Sequence, residues 1–206
     1  MTEIAHRFVR AGDTRMHVAE AGSGPLVVLL HGFPETWYSW RHQLRALAAA
    51  GYHAVAPDQR GCGRTDQPNA VEDYTILHTV GDVIHLIDVL GAESAVLAGH
   101  DWGGVVAWHA ALMRPDVVRG VVSLSTPFQP HADGPHLAGL RAGAGADTGI
   151  IAHDSTRTDF SAPIPTASLR ANTGADRACS STPGTPCPRS RDRFVESIFS
   201  AGRVVS

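Results

Sequence analysis

Cysteine, net charge and long apolar runs are all scarce in this chain, and each scarcity removes a class of protein. The three cysteines in 206 residues, Cys62, Cys179 and Cys187, are an odd number at spacings that match neither a disulfide framework nor a zinc site. They read as reduced thiols without a role. With 17 Lys and Arg against 20 Asp and Glu, there is no basic footprint for nucleic acid and no polybasic segment for an anionic membrane. No apolar run is long enough to span a bilayer, and the polar opening at Thr2, Glu3, His6 and Arg7 is unlike a secretory signal. The expectation is a cytoplasmic chain acting on a small, largely uncharged ligand, with the oligomeric state left open. A hydrophobic fraction of 43% is ordinary for a globular protein and allows one main domain with a sizeable core.

Between His6 and Val122 short apolar runs alternate with amphipathic segments, punctuated by Gly, Pro and Asp. That is the rhythm of strands joined by helices. Residues 7–10 and 15–21 read as a half-buried strand pair, and 26–30, 53–56, 95–98 and 117–124 as further strands. These later runs are nearly continuous in Val, Leu and Ala, the pattern of parallel strands covered by helices on both faces. The segment 75–90 sets Val80, Val83, Ile84 and Ile87 on one helical stripe, and Gly91 stops it. On its other side His78, Asp82 and His85 share a face, which reads as a solvated polar surface in preference to a metal site. After Thr126 the composition turns to Gly, Ala, Pro, Ser, Thr and Arg without lasting periodicity. The chain is therefore divided into an α/β core at 1–128 and a low-order tail at 129–206, in which only 194–205 suggests a short helix or strand.

The chemistry concentrates at Gly99-His100-Asp101-Trp102-Gly103-Gly104, placed after strand 95–98 and before the helix-like 105–113. A strand, a tight turn and a helix in that order lift the central side chain clear of the sheet, and small residues on either side keep the turn from colliding with its neighbours. At a helix start, unpaired N–H groups favour an ionised carboxylate on Asp101. The plainer reading is an Asp that merely caps a helix. A second element weighs against it: His31-Gly32-Phe33-Pro34 directly follows strand 26–30, and parallel strands open onto one crevice at their carboxyl ends. The N–H groups of Phe33 and Trp102 could then form a two-donor oxyanion hole beside Asp101. Pro34 has no N–H and acts as a constraint on shape.

These motifs, with Glu35, Trp37 and Trp40-Arg41 after the first and with Asp58-Gln59-Arg60-Gly61-Cys62-Gly63-Arg64-Thr65-Asp66 and Pro68 between them, resemble the α/β-hydrolase superfamily, and within it the epoxide hydrolases. The resemblance covers about the first two-thirds of the chain. It implies a three-layer α/β-hydrolase core with a mostly parallel sheet, truncated at its C-terminal side. It also implies that Asp101 attacks an epoxide carbon to form an ester that water then cleaves, with Phe33 and Trp102 as backbone oxyanion donors. Phe33, Trp37, Trp102 and Phe128 would line the substrate, and His31, Gly32, Pro34, Gly99, His100, Gly103 and Gly104 would support the motifs. A small apolar epoxide and water are the implied partners, with no metal, no organic cofactor, no nucleic acid and no membrane. Haloalkane dehalogenases share the elbow with its Trp but usually carry Asn where Phe33 stands. Fluoroacetate dehalogenases share His-Gly-Phe-Pro but typically have Arg in place of Trp102.

In that family two cap tyrosines, an acid and a water-activating His follow the nucleophile. Here Tyr38, Tyr52 and Tyr74 all precede Asp101. His109 falls inside the elbow helix, His131, His136 and His153 lie in Gly- and Pro-rich sequence, and His153-Asp154 reads as two exposed loop residues. The change of composition suggests an altered reading frame or a gene remnant. A non-catalytic fragment is therefore the rival expectation, with 117–124 left as an exposed edge strand.

Overall fold

The computed structural model describes residues 2–126 and the strand at 150–154. Side chains alternate across a strand, and that alternation generates three layers. In β3 (Leu26–Leu30) every residue is buried. Leu26, Val28 and Leu30 enter one core while Val27 and Leu29 enter the other. Two separate helix layers satisfy the two faces. α1 (Arg41–Ala49) brings Leu44 and Leu47 to the second core. α2 (Ile76–Val89) and α3 (Trp102–Met113) bring Val80, Val83, Leu86, Val106 and Trp108 to the first. Each such fully buried Leu or Val contributes about 1.5–3 kcal/mol relative to exposure.

The described strands form one seven-stranded sheet. The hairpin β1 (Ala5–Ala11) and β2 (Thr14–Ala21) pairs antiparallel, and β2 runs antiparallel to β4 (His53–Pro57). From there β4, β3, β5 (Ala95–His100) and β6 (Val118–Leu124) are all parallel. β7 (Ile150–Asp154) closes the order antiparallel to β6. The sheet is thus a mostly parallel α/β arrangement with an antiparallel start, as the apolar runs imply. Among the described residues no helix is long and apolar enough to cross a membrane.

Three features differ from the sequence reading. The helix α1 has no counterpart in it: the pattern is short, with only Gln43, Leu44 and Leu47 fully buried on a nine-residue helix, and it hides behind the aromatic run Trp37 to Trp40. The strand 117–124 is not an exposed edge, because Gly120 to Leu124 pair with Asp154 to Ile150 of β7; a sheet edge with free N–H and C=O groups gains by recruiting such a strand. That strand also lies inside 129–206, where composition offers no strand signal.

The third difference concerns Asp82, which does not stand on a solvated face with His78 and His85. It is only 4% exposed, and Arg60 grips both of its oxygens at 2.8 Å while the Thr14 hydroxyl donates to Oδ1 at 3.0 Å. Asp13 adds a second carboxylate to the same guanidinium at 3.0 Å. Helical periodicity sorts residues by face but cannot see that the loop 58–66 delivers a cation onto that face.

Candidate active site

Adjacent parallel strands bring the two motifs together. Leu30 of β3 is in register with Gly99 of β5, so the chain leaves both strands at the same level. Between β5 and α3 the turn is made by a single residue: Asp101 has φ 52° and ψ −120°, a conformation that costs a non-glycine residue roughly 1–3 kcal/mol. Its main chain is held from several sides. The Asp101 N–H donates to the Leu124 carbonyl at 3.3 Å, while its own carbonyl accepts from Gly104 N–H at 3.0 Å, Val105 N–H at 3.2 Å and the Thr126 hydroxyl at 2.8 Å. The Thr126 carbonyl in turn accepts from Ser123 Oγ at 2.6 Å and Trp108 Nε1 at 3.1 Å. Ser123 and Thr126 therefore brace the bend, a role that no sequence motif marks.

Glycines permit the approach. A Cβ on Gly99 would overlap the Gly103 carbonyl, and one on Gly103 would overlap the Leu30 carbonyl. At Gly32 an added Cβ would come 2.6 Å from the Asp101 Cβ and 2.9 Å from its Oδ1. The turn that bears Asp101 and the loop after β3 thus pack against each other closely, and the Asp101 side chain is exposed.

Asp101 holds the N-cap position of α3 but its side chain makes no capping hydrogen bond, so capping alone does not account for where the carboxylate points. Instead Oδ1 accepts from the Phe33 N–H at 3.1 Å. Partial burial pushes its pKa up, but the N–H groups of Phe33 and Trp102 and the nearby His100 outweigh that, and the carboxyl ends below its usual value. The carboxylate is exposed, and the two residues that aim N–H groups at it carry exposed rings, Phe33 at 72% and Trp102 at 60%. Chemically this is an ionised, accessible carboxylate with its charge stabilised first by main-chain N–H groups and then by the nearby His100, with no guanidinium or ammonium bonded to it.

The supporting residues form a second tier. His31 is 1% exposed, and its Nδ1–H donates to the Gly32 carbonyl at 2.7 Å while Nε2 accepts from the Gln59 N–H at 2.9 Å. Glu35 folds back onto the same loop: its Oε2 accepts from the Gly32 N–H at 3.2 Å and lies 3.4 Å from His100 Nδ1. Glu35 appears in the motif but carries no assigned role in the sequence reading, because its partners come from two different strands.

Other expected site residues fall elsewhere. The Trp37 ring packs edge-on against His6 of β1 at 4.6 Å and against Tyr38 at 5.5 Å, and the main-chain N–H of Trp37 donates to Asp58 Oδ1 at 2.9 Å. These contacts give Trp37 a part in holding the loop to the sheet, and the residue is half-buried. His109 directs Nδ1 to the Val105 carbonyl of its own helix at 2.8 Å. Cys62 is a free thiol whose pKa is raised, first by burial and then by the Asp58 charge, which makes it a poor nucleophile. Phe128, His131, His136, Cys179 and Cys187 lie outside the described residues, and of His153 and Asp154 only the strand placement is described.

A sheet of this order with an exposed carboxylate on the turn after β5 defines the class. The family model described as the alpha/beta hydrolase fold matches residues 25–143, and the chain belongs to that family. Among curated relatives, epoxide hydrolase 3 of Siraitia grosvenorii is 48% identical over 148 residues, 71% of this chain and 47% of that protein. An epoxide hydrolase of Caballeronia sordidicola is 57% identical over 113 residues, 55% of this chain and 34% of that one. A crystal structure of an epoxide hydrolase from Vigna radiata superposes with a TM-score of 0.62 at 50% identity, covering 68% of this chain and 46% of the other. The chain spans about half the length of the curated relatives it matches most extensively.

Proposed function

We propose that this chain carries the nucleophilic half-site of an epoxide hydrolase, with Asp101 on the nucleophile elbow and the Phe33 and Trp102 N–H groups as its oxyanion hole. The observation that carries the reading is the Asp101 carboxylate: accessible, held below its usual pKa, and bonded at 3.1 Å by a backbone N–H from a second loop. Such a group attacks an epoxide carbon without a base. The new C–O bond makes an Asp101 ester, the ring C–O bond breaks, and its electron pair stays on the leaving oxygen, which takes up a proton. Water then adds to the ester carbonyl, and the negative charge that builds on the carboxyl oxygen meets the two N–H groups. Collapse releases a diol and restores the carboxylate.

The exposed rings of Phe33 and Trp102 suit a small, mainly apolar epoxide, and the names of the relatives point to an epoxide without saying which kind. Intact-protein mass spectrometry after incubation with styrene oxide, together with assay of the diol, tests the reading. Diol formation or an added styrene oxide mass, lost in Asp101→Ala, supports it. A protein that gains no mass and yields no diol overturns it. An adduct that accumulates without diol would identify a chain that completes the first step only.

A further inference from the structure

The loop after β4, Asp58-Gln59-Arg60, belongs to none of the chemistry above, yet its consecutive residues each tie down a different element. Asp58 accepts from the Trp37 N–H and bonds His17 of β2, and Arg60 pairs with Asp82 of α2. Gln59 holds His31 twice, its main-chain N–H donating to the ring and its side-chain amide to the His31 carbonyl.

We propose that His31 is a proton-sensitive positioning residue: neutral, it aims the Phe33 N–H at Asp101, and protonated, it lets that donor go. The kinetic side of this rests on the epoxide-opening reading; the geometry does not. A backbone N–H can only donate, so Nε2, 2.9 Å from the Gln59 nitrogen, must offer a lone pair. The proton therefore sits on Nδ1 and goes to the Gly32 carbonyl at 2.7 Å. That carbonyl and the Phe33 N–H are two ends of one planar peptide unit and point in opposite directions. Fixing the oxygen, which His31 does together with the Glu35 N–H at 3.0 Å, fixes the hydrogen, and the hydrogen faces Asp101 Oδ1.

A second proton on the ring would set an N–H against the Gln59 N–H at contact distance. One of them must move, and both are joined to the loop that carries the donor. The titratable groups around the ring are Asp58 from the loop after β4 and Glu35 from its own loop, both of which favour the charged form. Asp101 and His100 stand beyond Gly32 and Glu35 on the turn after β5, and Arg60 is turned away into Asp82. Burial outweighs the Gly32 carbonyl and the two carboxylates, all of which favour the charged ring, and holds the ring pKa below its ordinary value. Stability linked to this group is thus complete above the ordinary histidine pKa of about 6.5 and declines as the pH falls from there through the lowered folded value.

Nuclear magnetic resonance on the unaltered protein reads the coupling directly. The expected result is that the Phe33 amide resonance and its hydrogen exchange change with the same midpoint as the His31 ring nitrogens, below about pH 6.5. A Phe33 amide indifferent to the His31 titration overturns the proposal. In single turnover with styrene oxide, His31→Leu slows cleavage of the Asp101 ester about ten- to a hundredfold more than its formation, since an oxyanion donor counts most in the second step. kcat and KM then fall together. His31→Asn, which keeps a donor near the Nδ1 position but cannot take up a proton, recovers part of that cleavage rate and flattens the acid limb. Equal slowing of both steps by His31→Leu, as general damage to the fold would give, contradicts the proposal. If the unaltered protein forms no ester, the function reading fails, while the amide titration still decides the role of His31.

Discussion

Asp101 and Asp82 are the same residue in opposite settings, and the contrast explains why one is accessible to an electrophile and the other is not. Asp82 lies under the sheet at 4% exposure with both oxygens on Arg60 and a third bond from Thr14. Asp101 stands at the carboxyl end of the strands, exposed, with a backbone N–H on one oxygen. A guanidinium would also keep Asp101 ionised, but it would occupy the lone pairs that must reach carbon. Main-chain N–H groups, with His100 beside them, lower the pKa while the carboxylate stays exposed. The difference is one of architecture: a cation arrives on a long side chain from another loop, whereas N–H groups arrive because two glycine-lined turns pack together.

The contrast can be broken from either side. The largest loss of stability is expected from Arg60→Leu, which strands the Asp82 carboxylate in the core and costs about 3–5 kcal/mol, measured by urea unfolding. The companion double variant Arg60→Leu with Asp82→Leu should regain much of that. A smaller loss, about 1–3 kcal/mol, is expected from Gly103→Ala, whose Cβ must displace the Leu30 carbonyl. Asp101→Gly should move in the opposite direction: glycine relieves the φ 52° strain, so the protein gains about 1 kcal/mol while losing its reactive group.

The smallest effect is one of pH. The lowered pKa of Asp101 predicts that ester formation stays flat from neutral pH to below about pH 4, the usual carboxylate value. It should then decline as the pH falls through the folded pKa, as should any stability this carboxylate contributes. An acid limb above that value would mean that another group, not Asp101, limits the first step.

How much of this was legible in the sequence follows from range. Strands β1 to β6 and helix α2 announce themselves through local periodicity, and the turn at Asp101 through small residues fixed in sequence around one carboxylate. The meeting of His31-Gly32-Phe33 with Asp101 was legible because parallel strands share an open end. What stayed hidden depends on partners far along the chain: Arg60 reaching Asp82, Gln59 reaching His31, Thr126 bracing the Asp101 carbonyl, and β7 covering β6. The packing of Trp37 against His6, which comes from the far edge of the sheet, was hidden for the same reason.

The account stands most directly on where an epoxide attaches. Peptide mapping of protein exposed to styrene oxide should place the added mass on the peptide containing Asp101, as an ester that alkali cleaves. Addition instead at Cys62 or a histidine, stable to alkali and unchanged by Asp101→Ala, would contradict it.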